Sequence, residues 1–238
     1  MTALVRGELI KTVTTRTLFG YAAIGVVLMI ANVLIVTQFS DELNTISDKR
    51  EAIAGLPILL LLLGLVGAAG EYRHRTAAPA ALAGGRDRGQ LLVARAGAYA
   101  VVGIAVAALM VAVSLALGLL LLASEPGQGL GSGDVAAVAG GSLFAAALSA
   151  IMGVAVGALV RNQVAAVIGT LILIFVVSPL LHLVSETALE FTPWGAAAVL
   201  AGEPHETLSW GGAALILAAW TAPPLIAAIV AERRRDVA

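Results

Sequence analysis

The sequence predicts an all-α integral membrane fold with six transmembrane helices. Two observations carry this, and a third gives the fold a direction. The chain of 238 residues is 60% hydrophobic and only 12% charged. Its mean hydropathy is +0.98, whereas soluble domains are about 45–50% apolar. Apolar runs long enough to cross a bilayer, about 20 residues each, recur six times. Their continuous apolarity lacks the alternation of barrel strands, and the backbone demand for hydrogen bonds in lipid makes each a helix. The third observation is charge. Twelve of the fourteen basic residues fall on one side of a six-span alternation.

The first segment, 2–17, reads as a helix lying on the inner membrane surface. Val5, Leu9 and Val13 recur at i, i+4, i+8 beside Ile10, with Glu8, Lys11 and Thr15 opposite. Arg6 and Arg16 border the apolar arc and can snorkel to headgroups. A solvated basic tail is the alternative. The spans are then read at about 18–37, 52–69, 96–123, 135–160, 164–184 and 211–231. The first is too long for a signal-peptide core of roughly 7–15 residues, so it is read as a span.

The basic residues on one side are Arg6, Lys11 and Arg16, then Arg73, Arg75, Arg86, Arg88 and Arg95, then Arg161, then Arg233, Arg234 and Arg235. The other side holds Lys49 and Arg50 among four acids. By the positive-inside rule both termini are cytoplasmic and the protein is a multi-pass protein of the cell membrane. No acid or base lies within the cores of the six spans as bounded above. That weighs against a proton-coupled carrier, a pump or a selective channel. Intramembrane polar residues are few, among them Ser149, Ser178 and His182.

The chemistry of the chain is equally sparse. A net charge of −1 argues against nucleic acid. Zero Cys excludes thiol catalysis and Cys-based zinc sites. H-E-x-x-H and G-x-S-x-G are absent, so no enzyme motif is present. The three His residues are scattered, and no catalytic, cofactor or metal site is expected. No P-loop occurs, so any ATP and Mg must be held by another chain.

Ser149, Gly153 and Gly157 form a small-residue stripe at intervals of four, read as packing inside the chain in preference to a contact between copies. Pro179 and the pair Pro223-Pro224 should kink or end their helices. The stretch 185–210 is interrupted by Pro193 and Pro204 and has acids but no bases. It fits two short helices dipping into the outer leaflet, with Trp194 and Trp210 as interfacial anchors. A plain outer loop is the other reading.

Three stretches in order, "LVRGELIKTVTTRTLFG", "GEYRHRTAAPAALAGGRDRGQLLVARA" and "FTPWG", resemble the permease (transmembrane) subunit of an ABC-2 type ABC transporter. The resemblance covers nearly the whole chain. Glu8, Lys11 and Arg16 match the elbow-helix pattern E-x-x-K-x-x-x-x-R. Glu71, Thr76 and Arg86 or Arg88 fit the acid, the threonine and the base between the second and third spans. The family commonly shows Gly before that Thr, where this chain has Arg75. The resemblance implies one transmembrane domain over 1–238, with an elbow helix at 1–17, a cytoplasmic coupling loop at 70–90 and outer re-entrant helices at 185–210.

It further implies two copies of a separate ATP-binding subunit, met by Glu71, Tyr72, Arg73, Arg75, Thr76, Arg86, Asp87, Arg88 and Arg161. Pro193 and Trp194 would stand at an outer gate. A homodimer or a heterodimer with a second permease would enclose the path, amid membrane lipids. Such assemblies export drugs, antimicrobial peptides, lipids or polysaccharides. A short helix of 71–76, continuous with the second span, would transmit the ATPase motion. The competing readings are an ATP-independent membrane scaffold or immunity protein, and a secondary carrier.

Overall fold

The computed structural model describes residues 2–39, 43–73, 87–123, 129–203 and 207–234. Among these every element is helical. Six helical stretches are long and apolar enough to cross a membrane.

Helix α1, Thr2–Thr14, is followed after one residue by α2, Arg16–Phe39. The polar face of α1, with Glu8 and Thr12, turns toward the chain, while Ile10 and Val13 are exposed. Buried partners described below attract that polar face. Helix α2 is attached by a narrow stripe, Gly25, Met29 and Val33, spaced by four.

Helix α3, Ile46–Ala52, is short and begins in a capping box. Thr45 Oγ1 accepts from the Asp48 N–H at 3.2 Å, and Asp48 Oδ2 accepts from the Thr45 N–H at 3.0 Å. Thr45→Ala removes one half of that box. It should lower stability by about 1 kcal/mol, read as a shift of the unfolding midpoint in mixed micelles. Residues 53–56 then run without helix, and the Gly55 N–H donates to the Ala201 carbonyl at 3.1 Å. Helix α4, Pro57–Arg73, starts on a proline, whose missing N–H costs nothing in a first turn. The stretch long and apolar enough to be the second span runs Ile46–Arg73, and its long helix begins at Pro57, after α3 has ended at Ala52.

Helix α5, Arg88–Leu122, has 35 residues and is about 52 Å long, well beyond a hydrocarbon core of about 30 Å. It starts two turns earlier than its apolarity indicates. Arg95 thus sits inside the helix, 2% exposed, instead of in a loop before it. Helix α6, Ser132–Val160, ends at Arg161, whose φ of 56° lies in the left-handed region. Asn162 then caps the next helix, its Oδ1 accepting from the Ala165 N–H at 3.1 Å.

The fifth span is broken into α7 (Gln163–Ile172), a π-helical turn (Leu173–Val177) and α8 (Ser178–Val184). Pro179 accounts for the break. Its ring collides with the carbonyl four residues back and it donates no hydrogen bond. The wider turn relieves this, and the Ser178 N–H and Oγ both donate to the Leu173 carbonyl, the latter at 3.2 Å. The segment 185–210 contains two short helices, α9 (Glu186–Glu190) and α10 (Pro193–Ala201). Thr192 caps α10, and Gly202 at φ 108° ends it. Helix α11, Trp210–Arg234, continues through Pro223-Pro224. The expected helix end at that pair does not occur.

The core is centred on α4 and α6, which touch backbone to backbone. A Cβ on Gly153 would stand 2.0 Å from the Leu61 carbonyl oxygen, and one on Gly64 2.2 Å from that of Ala150. The small-residue stripe therefore packs within the chain. Helix α5 covers one side of this pair through Tyr99, Val102, Val106 and Met110. Helices α10 and α11 cover another through Leu200, Ala213 and Leu217.

Candidate functional site

Apart from Arg50, which meets Asp134 at the other end, the ion pairs among the described residues gather at the end of the bundle where α1, the end of α4, the start of α5, the turn at Arg161 and the end of α11 converge. Two clusters form there. In the first, Arg95 Nε donates to Glu8 Oε2 at 3.2 Å, and its NH2 group donates to Glu71 Oε2. Lys11 Nζ donates to the other oxygen of Glu71 and lies 3.8 Å from Glu8. Glu8, Glu71 and Arg95 are 6%, 7% and 2% exposed. Two acids and two bases balance, so burial leaves no net charge. Such a pair is costly to desolvate, and its worth lies in fixing which elements meet. Here it fixes α1 onto the ends of α4 and α5.

The second cluster adjoins the first through the Glu71–Tyr72 peptide. The Tyr72 hydroxyl donates to Glu232 Oε1 at 2.7 Å. Arg161 donates to the same oxygen, and its guanidinium lies 4.7 Å over the Tyr72 ring. Glu232 is buried. Beside these, Arg233 Nε meets Asp87 Oδ2 at 2.9 Å. The end of α11 is thereby tied to the end of α4, the start of α5 and the turn after α6. A cavity of about 340 Å³ opens beside the first cluster, lined by Lys11, Thr12, Glu71, Tyr99 and Gln163.

The residues assigned to a partner ATPase divide into three groups. Glu71 points inward, and Tyr72 and Arg161 are half-buried in the second cluster. Arg73 and Asp87 are exposed and Arg88 half-buried at the surface. Arg75, Thr76 and Arg86 lie outside the described residues, as does the end of the proposed 71–76 helix; α4 itself reaches Arg73. Of the elbow residues, Glu8 and Lys11 join the first cluster, and Arg16 is exposed at the start of α2. Pro193 is buried and Trp194 half-buried in the first turn of α10. Among the described residues no group of three or more His, Asp and Glu could hold a metal.

No protein-family model matches the chain, and no curated protein matches it.

Two members of these clusters went unread in the sequence. On sequence Arg95 counts only toward topology, and Glu232 has no assigned role. Each carried a signal. Arg95 is a lone charge inside "QLLVARAGAYA". Glu232 is an acid in the last turn of a helix, where the dipole disfavours it. Arg95 is explained by its buried partners Glu8 and Glu71, and Glu232 by the half-buried Tyr72 and Arg161.

Proposed function

We propose that this chain is the membrane-spanning permease subunit of an ATP-driven exporter of the ABC-2 type. It would work as a dimer beside two separate ATP-binding subunits, with both termini cytoplasmic. It would itself be non-catalytic. The observation that supports this best is the junction of buried ion pairs. It joins α1 to the ends of α4 and α5 at the end of the bundle that carries most of the basic residues. A permease driven from outside needs a stiff element there, because the partner's motion must reach several spans at once. The two described stems that flank 74–86, one ending at Arg73 and the other starting at Asp87, are held beside the two clusters.

The same geometry sharpens which residues would meet the partner. Glu71 already serves Arg95 and Lys11, so its charge acts inside the chain. Among the described candidates Arg73 and Asp87 are exposed and Arg88 is half-buried. A single exposed ion pair is worth about 0–1 kcal/mol. Arg73→Glu should therefore weaken ATPase co-purification by roughly fivefold. The melting temperature of the permease should not change. The chain is captured from its native membrane with the Walker-motif ATPase identified by mass spectrometry. Transport is then followed in reconstituted vesicles. If no such ATPase accompanies the wild-type chain, the exporter reading fails. If Arg73→Glu leaves capture and transport intact, this stem is not the docking surface.

A further inference from the structure

The partly open cavity of about 340 Å³ beside the first cluster changes character along α4. Its size falls within the range of small-molecule sites, about 300–1,000 Å³. At the end of α4 its wall is polar, with Glu71, Lys11, Thr15 and Thr17. Lys11, with 43% of its side chain exposed, and Thr17 are open to an occupant. Further along α4 the wall is Leu63 and Val66. Leu63 lies eight residues before Glu71, about 12 Å along the helix axis. A headgroup layer is only about 5–7 Å thick on each face of a bilayer. The cavity therefore runs from the level of the charges past one headgroup layer and into the hydrocarbon.

Two glycines on the α4 wall show which space is taken. A Cβ at Gly67 would collide with the Tyr99 hydroxyl, so the chain itself fills that space. A Cβ at Gly70 meets nothing within 4 Å among the described residues. The charge of the wall then selects the occupant. Glu8, Lys11, Glu71 and Arg95, which pair with one another there, sum to zero. An anion alone would add net charge at a site of low dielectric. A headgroup with one charge of each sign adds none. It also finds an ammonium and a carboxylate side by side on the wall. A soluble zwitterion would satisfy the charges and leave the Leu63 end empty.

We propose that this cavity binds one zwitterionic phospholipid of the phosphatidylethanolamine class. Its phosphate lies at the Lys11 ammonium and the Thr17 hydroxyl, and its ammonium lies on the Glu71 side. The first part of one acyl chain runs along Val66 and Leu63. A primary ammonium has N–H groups to donate to acceptors on this wall, whereas a trimethylammonium has none. The lipid would thus sit in the junction that holds α1 on the ends of α4 and α5. The site goes beyond the exporter reading and needs no ATPase, so the two fail separately.

The test uses the full chain in an uncharged maltoside detergent, titrated with phosphatidylethanolamine and followed by native mass spectrometry. Each chain should retain one such lipid after the micelle is stripped. Lys11→Gln should weaken retention roughly tenfold, because a hydrogen bond to a charged group is lost. Gly70→Phe, which fills the open space from α4, should abolish it. Val66→Trp fills the same cavity one turn away and serves if the first variant does not fold. Phosphatidylglycerol held as tightly would show that negative charge alone is recognised, and would overturn the proposal. Glycerophosphoethanolamine, the same headgroup without chains, held as tightly would overturn it too, by showing a site for a soluble ligand. So would the absence of a retained lipid in the wild type, or unchanged retention in a folded cavity-filling variant.

Discussion

Arg95→Met should be the most damaging single change of charge in the chain. It leaves the Glu8 and Glu71 carboxylates buried at 6% and 7% exposure without the guanidinium that pairs with both, and with Lys11 as the other base described beside them. Breaking a buried pair by removing one partner costs about 3–5 kcal/mol. Lys11 cannot compensate, because its side chain is 43% exposed and its ammonium is held at the rim. The midpoint of unfolding by SDS in mixed micelles should fall accordingly. Limited proteolysis should then cut between α1 and α2, since α1 is held by this cluster. The decisive comparison is a double variant. Arg95→Met with Glu71→Leu removes one charge of each sign and leaves Glu8 with Lys11. Its cost should be smaller than the sum of the two single changes by about 1–3 kcal/mol. Additive costs would show that the four side chains do not act as one unit. Lys11→Met, at the exposed rim, should cost far less than Arg95→Met.

The six spans were legible because a bilayer imposes a length and a composition that local sequence cannot hide. The small-residue stripe at Ser149, Gly153 and Gly157 was legible for the same reason: only small residues let two backbones touch. The start of α5 was not. Hydropathy scores Arg95 as a loop residue, while its burial is made possible by Glu8 and Glu71, which lie 87 and 24 positions away. Glu71 was read as a surface charge for the same reason. The sign of a side chain is visible in sequence, but the partner that neutralises it is a property of the fold. The break at Pro179 followed directly from proline chemistry. Pro223-Pro224 did not end α11, although the same chemistry applies. There the helix continues for another ten residues, held at its far end by Glu232 and Arg233. The cavity beside Lys11 and Glu71 was beyond reach, since it is shaped by segments that meet only in three dimensions.

Gly153→Leu should have a large steric effect, at the seam in the centre of the bundle. The helices α4 and α6 approach so closely that even a methyl group at 153 would stand 2.0 Å from the Leu61 carbonyl oxygen and 2.8 Å from the Leu65 nitrogen. Both are backbone atoms in the middle of a helix, so neither can turn aside as a side chain would. The whole interface must open. Gly157 faces Leu65 and Gly64 faces Ala150 along the same seam, at 2.5 Å and 2.2 Å, so separation at one point loosens three. Overpacking of a core costs typically about 1–3 kcal/mol and occasionally more. Gly153→Ala should fall at or above the top of that range, and Gly153→Leu should prevent folding. A fluorescent-protein fusion reports the folded fraction in cells, and the mixed-micelle midpoint gives the alanine value. Gly97→Ala is the matched control. A Cβ there meets nothing within 4 Å, and alanine is the better helix former by about 1 kcal/mol. That variant should be neutral or slightly more stable. Equal effects at 97 and 153 would mean that helix propensity, and not the contact between α4 and α6, sets the need for glycine.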